Sequence, residues 1–345
     1  MKTSMYIVLS FAISAVIVPV VIKICNKFNI FDTAGGRKIH KGNIPRMGGI
    51  GFVLSFLIVS IVYVFTKEVT NMQRLLPLLS GGLIIFCFGI LDDIITLKAR
   101  YKLVAQILAA FIVVFFGFTF TSFGPIQLGL LGPAISFIWI LGVVNSFNLI
   151  DGLDGLCGGL SFFIMLTYGI LFFTNSHLIS GLCLIFAGAL AGFLVYNKPK
   201  AKIFMGDGGS QFLGFMVAVL PLYSTNTTFE YNKMPIVFLL ASLPIYDTIA
   251  AIWRRIRDKQ KIMHGDKAHT HHKLLKMGYS TWGVLTILYS IQLFLCITCI
   301  ISATIDSRYR ESIILICGLI GITLFFAIIH YTYTNMCRMQ KKSDE

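Results

Sequence analysis

The segment GILDDIITLKARYKL combines carboxylates and cations where an apolar stretch of the chain ends. Two acidic residues are followed by three basic ones, namely Asp92, Asp93, Lys98, Arg100 and Lys102. Ionisable groups beside a long apolar segment are costly unless they are solvated, paired or used in function. The segment therefore predicts either a solvated helix end with paired charges, or a carboxylate pair that handles a metal or a proton beside cations that hold a phosphate.

A second segment, NSFNLIDGLDGL, carries polar residues without a cation of its own: Asn145, Asn148, Asp151 and Asp154. Aspartate and glycine favour turns, so one interpretation is a pair of turns that closes a helix. The other interpretation is functional, because carboxylates without a neighbouring cation favour Mg²⁺ or the hydrogen-bond donors of a ligand. We favour the functional interpretation of this segment.

A third segment, KIFMGDGGS, places Asp207 among glycines just before a predicted helix. Glycines let backbone amides approach a ligand closely, and a helix N-terminus favours anions. The glycines are not followed by Lys and Ser/Thr, which excludes a Walker A loop. Asp207 is instead a candidate oxygen ligand for Mg²⁺. Phe204 is either a ring that lies against a base or an aromatic anchor at the membrane interface.

The segment RRIRDKQKIMHGDKAHTHHKLL is strongly basic and contains a histidine cluster, His269, His271 and His272. Zinc is not favoured, because the cluster lacks Cys or carboxylate partners at zinc spacing. Imidazoles beside cations suit a diphosphate, whose oxygens Arg can bind in a bidentate fork. The neighbouring cations are Arg254, Arg255, Arg257 and Lys267. The alternative is a basic loop that touches anionic lipid.

One more carboxylate and one more basic segment complete the candidates. Asp247 precedes Arg254 by seven residues, which places both on one helix face and predicts structural support for the cationic loop. The segment DTAGGRKIHKGNIPRMGG adds a fifth loop with Arg37, Lys38, His40 and Arg46. It is a weaker indication of substrate binding, because inner loops of membrane proteins are generally basic.

Composition decides what kind of scaffold must hold these residues. Of the 345 residues, 56% are hydrophobic and 13% are charged, and the mean hydropathy is +0.82. Soluble domains average roughly 45–50% apolar and about 25% charged residues. The composition therefore excludes an ordinary soluble protein, a disordered chain and a secreted disulfide scaffold. It predicts an all-α, polytopic integral membrane protein.

Apolar stretches of about 20 residues can span a bilayer as helices. We predict about eleven such transmembrane helices, at approximately 4–25, 47–66, 75–91, 102–120, 133–149, 156–174, 178–196, 210–224, 234–253, 281–304 and 312–334. They form a single membrane domain over residues 1–345.

The distribution of charge predicts the orientation of these helices. If the N-terminus is outside and the C-terminus is cytoplasmic, 23 of the 29 Lys and Arg residues lie in inner segments and six in outer ones. This asymmetry follows the positive-inside rule and accounts for the net charge of +14 without nucleic acid. The same topology brings the motifs together in cytoplasmic loops near 26–46, 92–102, 145–156, 197–210 and 254–280.

Carboxylates, cations and an aromatic ring at the cytoplasmic face predict Mg²⁺-assisted phosphoryl transfer from a nucleotide-sugar to a lipid. A membrane transporter is the alternative from a different class. Transporters place ionisable groups near the bilayer midplane on broken helices, often with an internal repeat. Here the acidic residues fall at one face and the sequence shows no repeat, so we favour the transferase over a transporter or a non-catalytic scaffold.

The combined motifs resemble those of the polyprenyl-phosphate N-acetylhexosamine-1-phosphate transferases, glycosyltransferase family 4. Within it they are most similar to the undecaprenyl-phosphate N-acetylglucosamine-1-phosphate branch. The segments that carry the resemblance are RKIHKGNIPRMGG, LDD, NSFNLIDGLDG, FMGDGGS and DKAHTHH, and it extends over nearly the whole chain.

The resemblance implies roles for the acidic motifs. Asp207 resembles the principal Mg²⁺ ligand of the family, with Asn148 as a second ligand and Mn²⁺ as a substitute metal. Asp154 and Asp151 resemble carboxylates that bind the nucleotide, with Phe204 stacked on uracil.

The resemblance also implies roles around the phosphates. Asp92 resembles a residue that deprotonates or orients the lipid phosphate, with Asp93 beside it, and Lys102 resembles a lysine that contacts phosphate. Arg255 and the histidine loop resemble elements that face the sugar and diphosphate: His269, His271 and His272. Arg46 is a further substrate-binding candidate.

The implied reaction converts UDP-N-acetylglucosamine and undecaprenyl phosphate into undecaprenyl-diphosphate-N-acetylglucosamine and UMP, at the bacterial inner membrane, and starts a lipid-linked polysaccharide. Another UDP-N-acetylhexosamine or UDP-MurNAc-pentapeptide would need the same chemistry. We expect direct attack by the lipid phosphate, with double displacement through Asp92 or Asp93 as the alternative. The implied partners are both substrates and the lipid bilayer, without nucleic acid, and a second copy of the chain in a homodimer.

Overall fold

The structure is a computed structural model that describes residues 2–32, 43–67, 72–174, 176–224, 227–260, 268–305 and 307–344. Within those ranges the chain forms thirteen α-helices and two short antiparallel strand pairs, β1–β2 and β3–β4. In chain order the elements are α1 (Thr3–Phe28), β1 (Phe31–Asp32), β2 (Ile44–Pro45), α2 (Gly49–Thr66), α3 (Leu76–Ile95), α4 (Ala99–Phe115), β3 (Ser122–Phe123), β4 (Ile126–Gln127), α5 (Leu131–Ile150), α6 (Leu156–Leu171), α7 (His177–Asn197), α8 (Gly206–Val219), α9 (Thr227–Leu240), α10 (Ser242–Arg257), α11 (Thr270–Lys276), α12 (Thr281–Ala303) and α13 (Arg308–Asp344).

Local backbone signals fix where α3 ends. Its apolar residues favour a helix because a helix satisfies its own backbone hydrogen bonds away from water. The next residue, Thr96, has a φ of 52°, and its amide donates to the carbonyl of Asp92. A left-handed residue at this position is a common helix stop. It leaves Asp92 and Asp93 in the last turn of α3.

Helix α8 is the centre of the bundle. Its residues from Gly208 to Val219 are all buried, and α8 packs closely on α3 and α5. Glycines permit this approach, because a Cβ added at Gly89 would collide with the backbone of Gly208, and one added at Gly49 would collide with Gly209. The start of α8 therefore lies against the end of α3 and the start of α2.

The prediction of eleven spanning helices is not confirmed. In the part of the chain that the structure describes, seven helices are long and apolar enough to cross a membrane, or eight if the bent pair α9–α10 is one span. The predicted spans at 102–120, 156–174 and 210–224 correspond to α4, α6 and α8, which have 17, 16 and 14 residues. Helices of that length extend about 21–26 Å, less than a hydrocarbon core of about 30 Å. Apolar composition continues beyond these helices, so it overestimates their lengths.

The predicted span at 234–253 is also not one straight helix. The structure divides it between α9 and α10, which are bent by 68°. The exposed side chains of α10 include three large apolar ones, Ile249, Trp253 and Ile256. Its other face buries Asp247 and Arg255. Apolar residues continue across the break, so hydropathy does not reveal the bend.

Segments that are far apart in sequence meet at one end of the bundle. The end of α3 contacts the starts of α4 and α8 through side-chain ion pairs and hydrogen bonds. The end of α5 contacts the start of α8, and the loop after α5 lies against α11. The predicted functional loops are thus neighbours in the fold.

Candidate active site

A cavity of about 740 Å³ lies at this end of the bundle, within the range of roughly 300–1,000 Å³ that small-molecule sites occupy. Its walls come from β2, from the loops after α5 and α7, and from the starts of α8, α11 and α12. Seven residues predicted from the sequence line it: Arg46, Asn148, Asp151, Asp154, Phe204, Asp207 and His272.

Lys102 joins two of the predicted carboxylates beside the cavity. Its Nζ lies 2.6 Å from Asp92 Oδ2 and 2.5 Å from Asp207 Oδ2. Asp92 is 2% exposed, and its other oxygen accepts a hydrogen bond from the amide of Leu97 at 2.6 Å. Both oxygens of Asp92 are therefore engaged. The guanidinium of Arg100, from the same motif, lies instead over the ring of Tyr101 at 4.9 Å.

Asp93 has different partners from Asp92. It accepts hydrogen bonds from the amides of Asp207 at 2.8 Å and Gly208 at 3.1 Å, and it pairs with Arg46 at 2.9 Å. Amides in the first turn of a helix lack partners within that helix, so this carboxylate caps the start of α8. Gly206 leaves room for it, since a Cβ there would collide with the carboxylate and its φ is 74°. Asp93 thus fixes the position of Asp207.

Asn148 and Asp207 both line the cavity, and Ser210 connects them. The Ser210 hydroxyl donates to Asn148 Oδ1 at 2.8 Å, one turn after Asp207 on α8. Among the described residues, no three His, Cys, Asp or Glu side chains form a group that could hold a metal by themselves. Mg²⁺ usually takes one or two carboxylates and completes its shell with water and substrate phosphates. Asp207 with Asn148 fits that smaller donor set.

The loop after α5 supplies a second acidic wall. Burial, together with the negative charges of Asp207, Asp93 and Asp154, raises the pKa of Asp151 to about 8. This wall therefore favours a proton or a cation, which supports the fit of a divalent ion. Asp154 is anchored, because its Oδ2 accepts from the amide of Ala201 at 3.0 Å.

Asn197 is a residue that sequence reasoning missed. It is 4% exposed, lines the cavity, accepts from the amide of Gly155 at 3.1 Å and donates to the carbonyl of Ile203 at 2.8 Å. It therefore ties the loop after α5 to the loop that carries Phe204. The feature of the sequence that could have identified Asn197 is its position shortly before the motif KIFMGDGGS. Other missed lining residues are Asp32, Lys200 and Thr281.

The three histidines have different surroundings. His269 Nδ1 lies 2.7 Å from Asp247 Oδ2, and the other oxygen of Asp247 accepts from the amide and hydroxyl of Thr270 at 2.8 and 2.7 Å. The predicted support of this loop by Asp247 thus takes the form of contacts to the start of α11. His272 lines the cavity.

His271 is buried rather than exposed to the cavity. It is 1% exposed, and neither ring nitrogen has a hydrogen-bond partner within the described residues. A Cβ at Gly152 would lie 2.7 Å from His271 Nε2, so the ring packs against the loop after α5. Burial and the neighbouring His272 lower the pKa of His271 to about 3. The ring is therefore neutral and supports the loop.

Several predicted cations are not in the cavity lining or lie outside the described residues. Arg255 is 7% exposed in α10 and is absent from the lining, so its contact with a diphosphate stays a prediction. Arg37, Lys38, His40 and Lys267 lie outside the residues that the structure describes.

Comparison with known proteins matches this chain to Glycosyl transferase family 4 over residues 75–225. A probable undecaprenyl-phosphate N-acetylglucosaminyl 1-phosphate transferase of Bacillus subtilis is 35% identical, over 87% of this chain and 86% of that protein. An undecaprenyl-phosphate alpha-N-acetylglucosaminyl 1-phosphate transferase of Thermotoga maritima is 30% identical, over 77% of this chain and 80% of that protein. The protein with that name in Escherichia coli K12 is 28% identical, over 75% and 72%. The similarity thus extends over most of the chain.

Proposed function

The chain belongs to glycosyl transferase family 4, and from this membership we propose that it transfers N-acetylglucosamine 1-phosphate from UDP-N-acetylglucosamine to undecaprenyl phosphate. Relatives with this activity in their names align with most of the chain. The structural observation that carries the proposal is that Lys102 joins Asp92 to Asp207, and that Asp207 lines the cavity together with Asp151 and Asp154. Cations and carboxylates at one cavity suit a diphosphate and its counter-ion.

In the proposed reaction, an oxygen of the lipid phosphate forms a bond to the β-phosphorus of the nucleotide sugar. The bond between that phosphorus and the oxygen bridging the two phosphates breaks. UMP leaves with the bridging oxygen, and the lipid product carries the diphosphate and the sugar. A phosphate monoester has a second pKa near about 6, so the attacking group is largely dianionic at neutral pH. It needs positioning more than it needs a strong base.

Direct attack is favoured over a covalent enzyme intermediate. Asp92 is buried, and its two oxygens are occupied by Lys102 and the amide of Leu97. Asp93 is likewise occupied by two amides of α8 and by Arg46. A nucleophilic carboxylate would first have to leave these partners. Incubation with UDP-sugar alone checks this, because a phosphorylated enzyme formed before lipid is added would contradict direct attack.

We propose Mg²⁺ as the cofactor, held by Asp207 and Asn148, with Mn²⁺ as a substitute. When bound, the ion neutralises charge on the diphosphate. We assign Lys102, which pairs with Asp207, to a phosphate oxygen, and Asp93 holds the start of α8 in place. The oxygen donors and the raised pKa of Asp151 support this assignment.

For the nucleotide, we propose the wall formed by Asp151, Asp154 and Phe204. The carboxylates can accept hydrogen bonds from ribose or base, and the half-buried ring of Phe204 offers a face to uracil. His272 is the histidine of the cluster that lines the cavity, so it is the one we assign to the sugar or diphosphate.

The seven or eight long apolar helices among the described residues make the chain a multi-pass membrane protein. We propose that it lies in the bacterial inner membrane with its N-terminus outside, its C-terminus in the cytoplasm and the cavity on the cytoplasmic side. The excess of Lys and Arg in the proposed inner segments, 23 against six, supports this orientation.

The test is release of UMP by detergent-purified protein that is given both substrates and Mg²⁺. We expect release that requires both substrates and stops with EDTA, and a panel of UDP-sugars identifies the preferred donor. UDP-MurNAc-pentapeptide and UDP-N-acetylgalactosamine belong in that panel because their phosphates need the same contacts. Solute uptake into liposomes without UMP release would instead favour the transporter.

A further inference from the structure

Three side-chain amides, two of them buried and one half-buried, form a connected group. Gln106 Nε2 donates to Gln211 Oε1 at 2.9 Å, and Asn145 Nδ2 donates to Gln106 Oε1 at 2.9 Å. Gln106 is 2% exposed and Gln211 is 3% exposed. These residues lie on α4, α8 and α5, and we name them the amide layer.

Each member of the amide layer lies one helical turn from a residue of the candidate site. Gln106 follows Lys102 by four residues on α4, and Gln211 follows Asp207 by four residues on α8. Residues four apart occupy one face of a helix, about 6 Å apart along its axis. The Lys102–Asp207 ion pair and the Gln106–Gln211 hydrogen bond are therefore two successive links between the same two helices.

The third member extends this connection to α5. Asn145 precedes Asn148 by three residues, and Asn148 accepts from Ser210 on α8. Asn145 is held in place by a second bond, from its Nδ2 to the carbonyl of Leu141 at 2.8 Å. The amide layer thus connects the three helices that carry Lys102, Asp207 and Asn148.

The chemistry of the layer indicates positioning rather than stability. Burying an amide costs free energy unless its groups are paired, and apolar residues of similar volume often pack as well. Gln211 Nε2 has no hydrogen-bond partner within the described residues, so burial of this side chain costs folding free energy. Hydrogen bonds require donor–acceptor distances near about 2.9 Å, whereas apolar contacts tolerate sliding. The layer therefore restricts the axial positions of α4 and α8.

We propose that Gln106, Gln211 and Asn145 are positioning residues that hold Lys102, Asp207 and Asn148 in register at the site of the divalent cation and the phosphates. The proposal rests on the proposed function for its chemistry. Its direct consequence, tighter binding of the cation, is measurable without turnover.

The experiment compares Gln106→Leu and Gln211→Leu with Gln292→Leu. Gln292 is a matched control: it is 0% exposed in α12 and its Nε2 donates to the carbonyl of Leu240 at 3.0 Å, away from the cavity. Binding of Mn²⁺ to each purified protein is measured by electron paramagnetic resonance. The Mg²⁺ concentration for half-maximal UMP release and the KM for UDP-N-acetylglucosamine are measured beside it.

We expect each amide-layer variant to weaken Mn²⁺ binding by about tenfold, the lower end of what loss of a supporting partner costs a metal site. The Mg²⁺ requirement should rise in parallel, while the KM for the donor changes less than twofold. Gln292→Leu should leave both cation measurements unchanged even if its melting temperature falls.

A double variant, Gln106→Leu with Gln211→Leu, tests whether the two residues act through their mutual bond. We expect the Mn²⁺ affinity of the double variant to equal that of whichever single variant has the lower Mn²⁺ affinity, without a further loss. The proposal would be overturned if folded Gln211→Leu bound Mn²⁺ as tightly as the wild type. It would also be overturned if Gln211→Leu and Gln292→Leu lost equal Mn²⁺ affinity. Absence of UMP release by the wild-type protein would contradict the proposed function, and the Mn²⁺ comparison would still decide the role of the layer.

Discussion

At the scale of single residues, Asp92 and Asp93 are adjacent in sequence but have separate partners. Asp92 pairs with Lys102, which also contacts Asp207, whereas Asp93 caps α8 and pairs with Arg46. Successive residues at a helix end point in different directions, so one faces α4 and the other faces α8. We therefore expect Asp93 to act through the position of Asp207.

The first prediction concerns Asp207. We expect Asp207→Asn to lower UMP release by more than about 100-fold, because an amide is a poorer ligand for Mg²⁺ and leaves Lys102 without its full counter-charge. The protein should still insert and elute as a folded species in size-exclusion chromatography. Asp258→Asn, at an exposed ion pair with Arg257, is the matched control and should retain activity. Full activity of Asp207→Asn would remove this residue from the metal site.

The second prediction concerns the pH dependence of stability. The pKa of His271 is lowered from 6.5 to about 3 in the folded protein, so below pH 6.5 the unfolded chain binds a proton that the folded protein does not. Stability from this group is complete above pH 6.5 and falls by up to about 1.4 kcal/mol per pH unit below it. We expect the melting temperature of the wild type to fall more between pH 7.5 and 5 than that of His271→Leu. Equal pH slopes for the two proteins would contradict this prediction.

At the scale of elements, α10 and α11 are joined by one carboxylate. Asp247 on α10 accepts three hydrogen bonds from His269 and Thr270 at the start of α11. A seven-residue helix is too short to be stable by itself, so its position depends on such contacts. Asp247 therefore places His271 against the loop after α5 and His272 in the cavity wall.

The third prediction follows from this docking. We expect Asp247→Ala to raise the KM for UDP-N-acetylglucosamine, because α11 and His272 lose their anchor, and to cost about 1–3 kcal/mol of stability from unpaired buried donors. The Mg²⁺ concentration for half-maximal activity should not change, since Asp207 and Asn148 lie on other helices. Asp258→Ala is the control, and steady-state kinetics with a thermal melt measure both effects. A shift in the Mg²⁺ requirement without a change in KM would refute the docking role.

At the scale of the whole molecule, the proposed orientation predicts which surfaces face the cytoplasm. The β3–β4 pair and the end of α10 should lie on opposite sides, so we expect an impermeant maleimide added to intact cells to label Gln127→Cys but not Gln260→Cys. Both positions are exposed, and the unmodified chain gives the background from its own eight cysteines. Labelling of Gln260→Cys from outside would place the α10 end in the periplasm and separate it from cytoplasmic UDP-sugar.

Helix lengths and bends are also properties of the whole molecule. The apolar stretches were placed correctly, since each predicted span overlaps a helix or the bent pair α9–α10. Three of the corresponding helices, α4, α6 and α8, have only 17, 16 and 14 residues. Hydropathy measures the preference of a segment for an apolar environment, and buried protein satisfies that preference as well as lipid does. The number of eleven spans therefore stays a prediction.

The sequence by itself determined the protein class, the family and most of the candidate site. Long apolar stretches and sparse charge are local properties that imply a membrane protein, and residue types such as those in FMGDGGS carry the family signature without any knowledge of contacts. Seven of the residues predicted from these motifs line the cavity.

The tertiary structure alone decided which residues act on which. The cap of Asp93 on α8, the support of His269 by Asp247 and the bond between Gln106 and Gln211 join residues 114, 22 and 105 positions apart. A sequence pattern reports the spacing within one helix or loop, whereas these partners are set by how separate helices pack. Short sequence segments therefore indicate which reactive residue types are present, whereas the packing of the helices decides which of these residues contact each other.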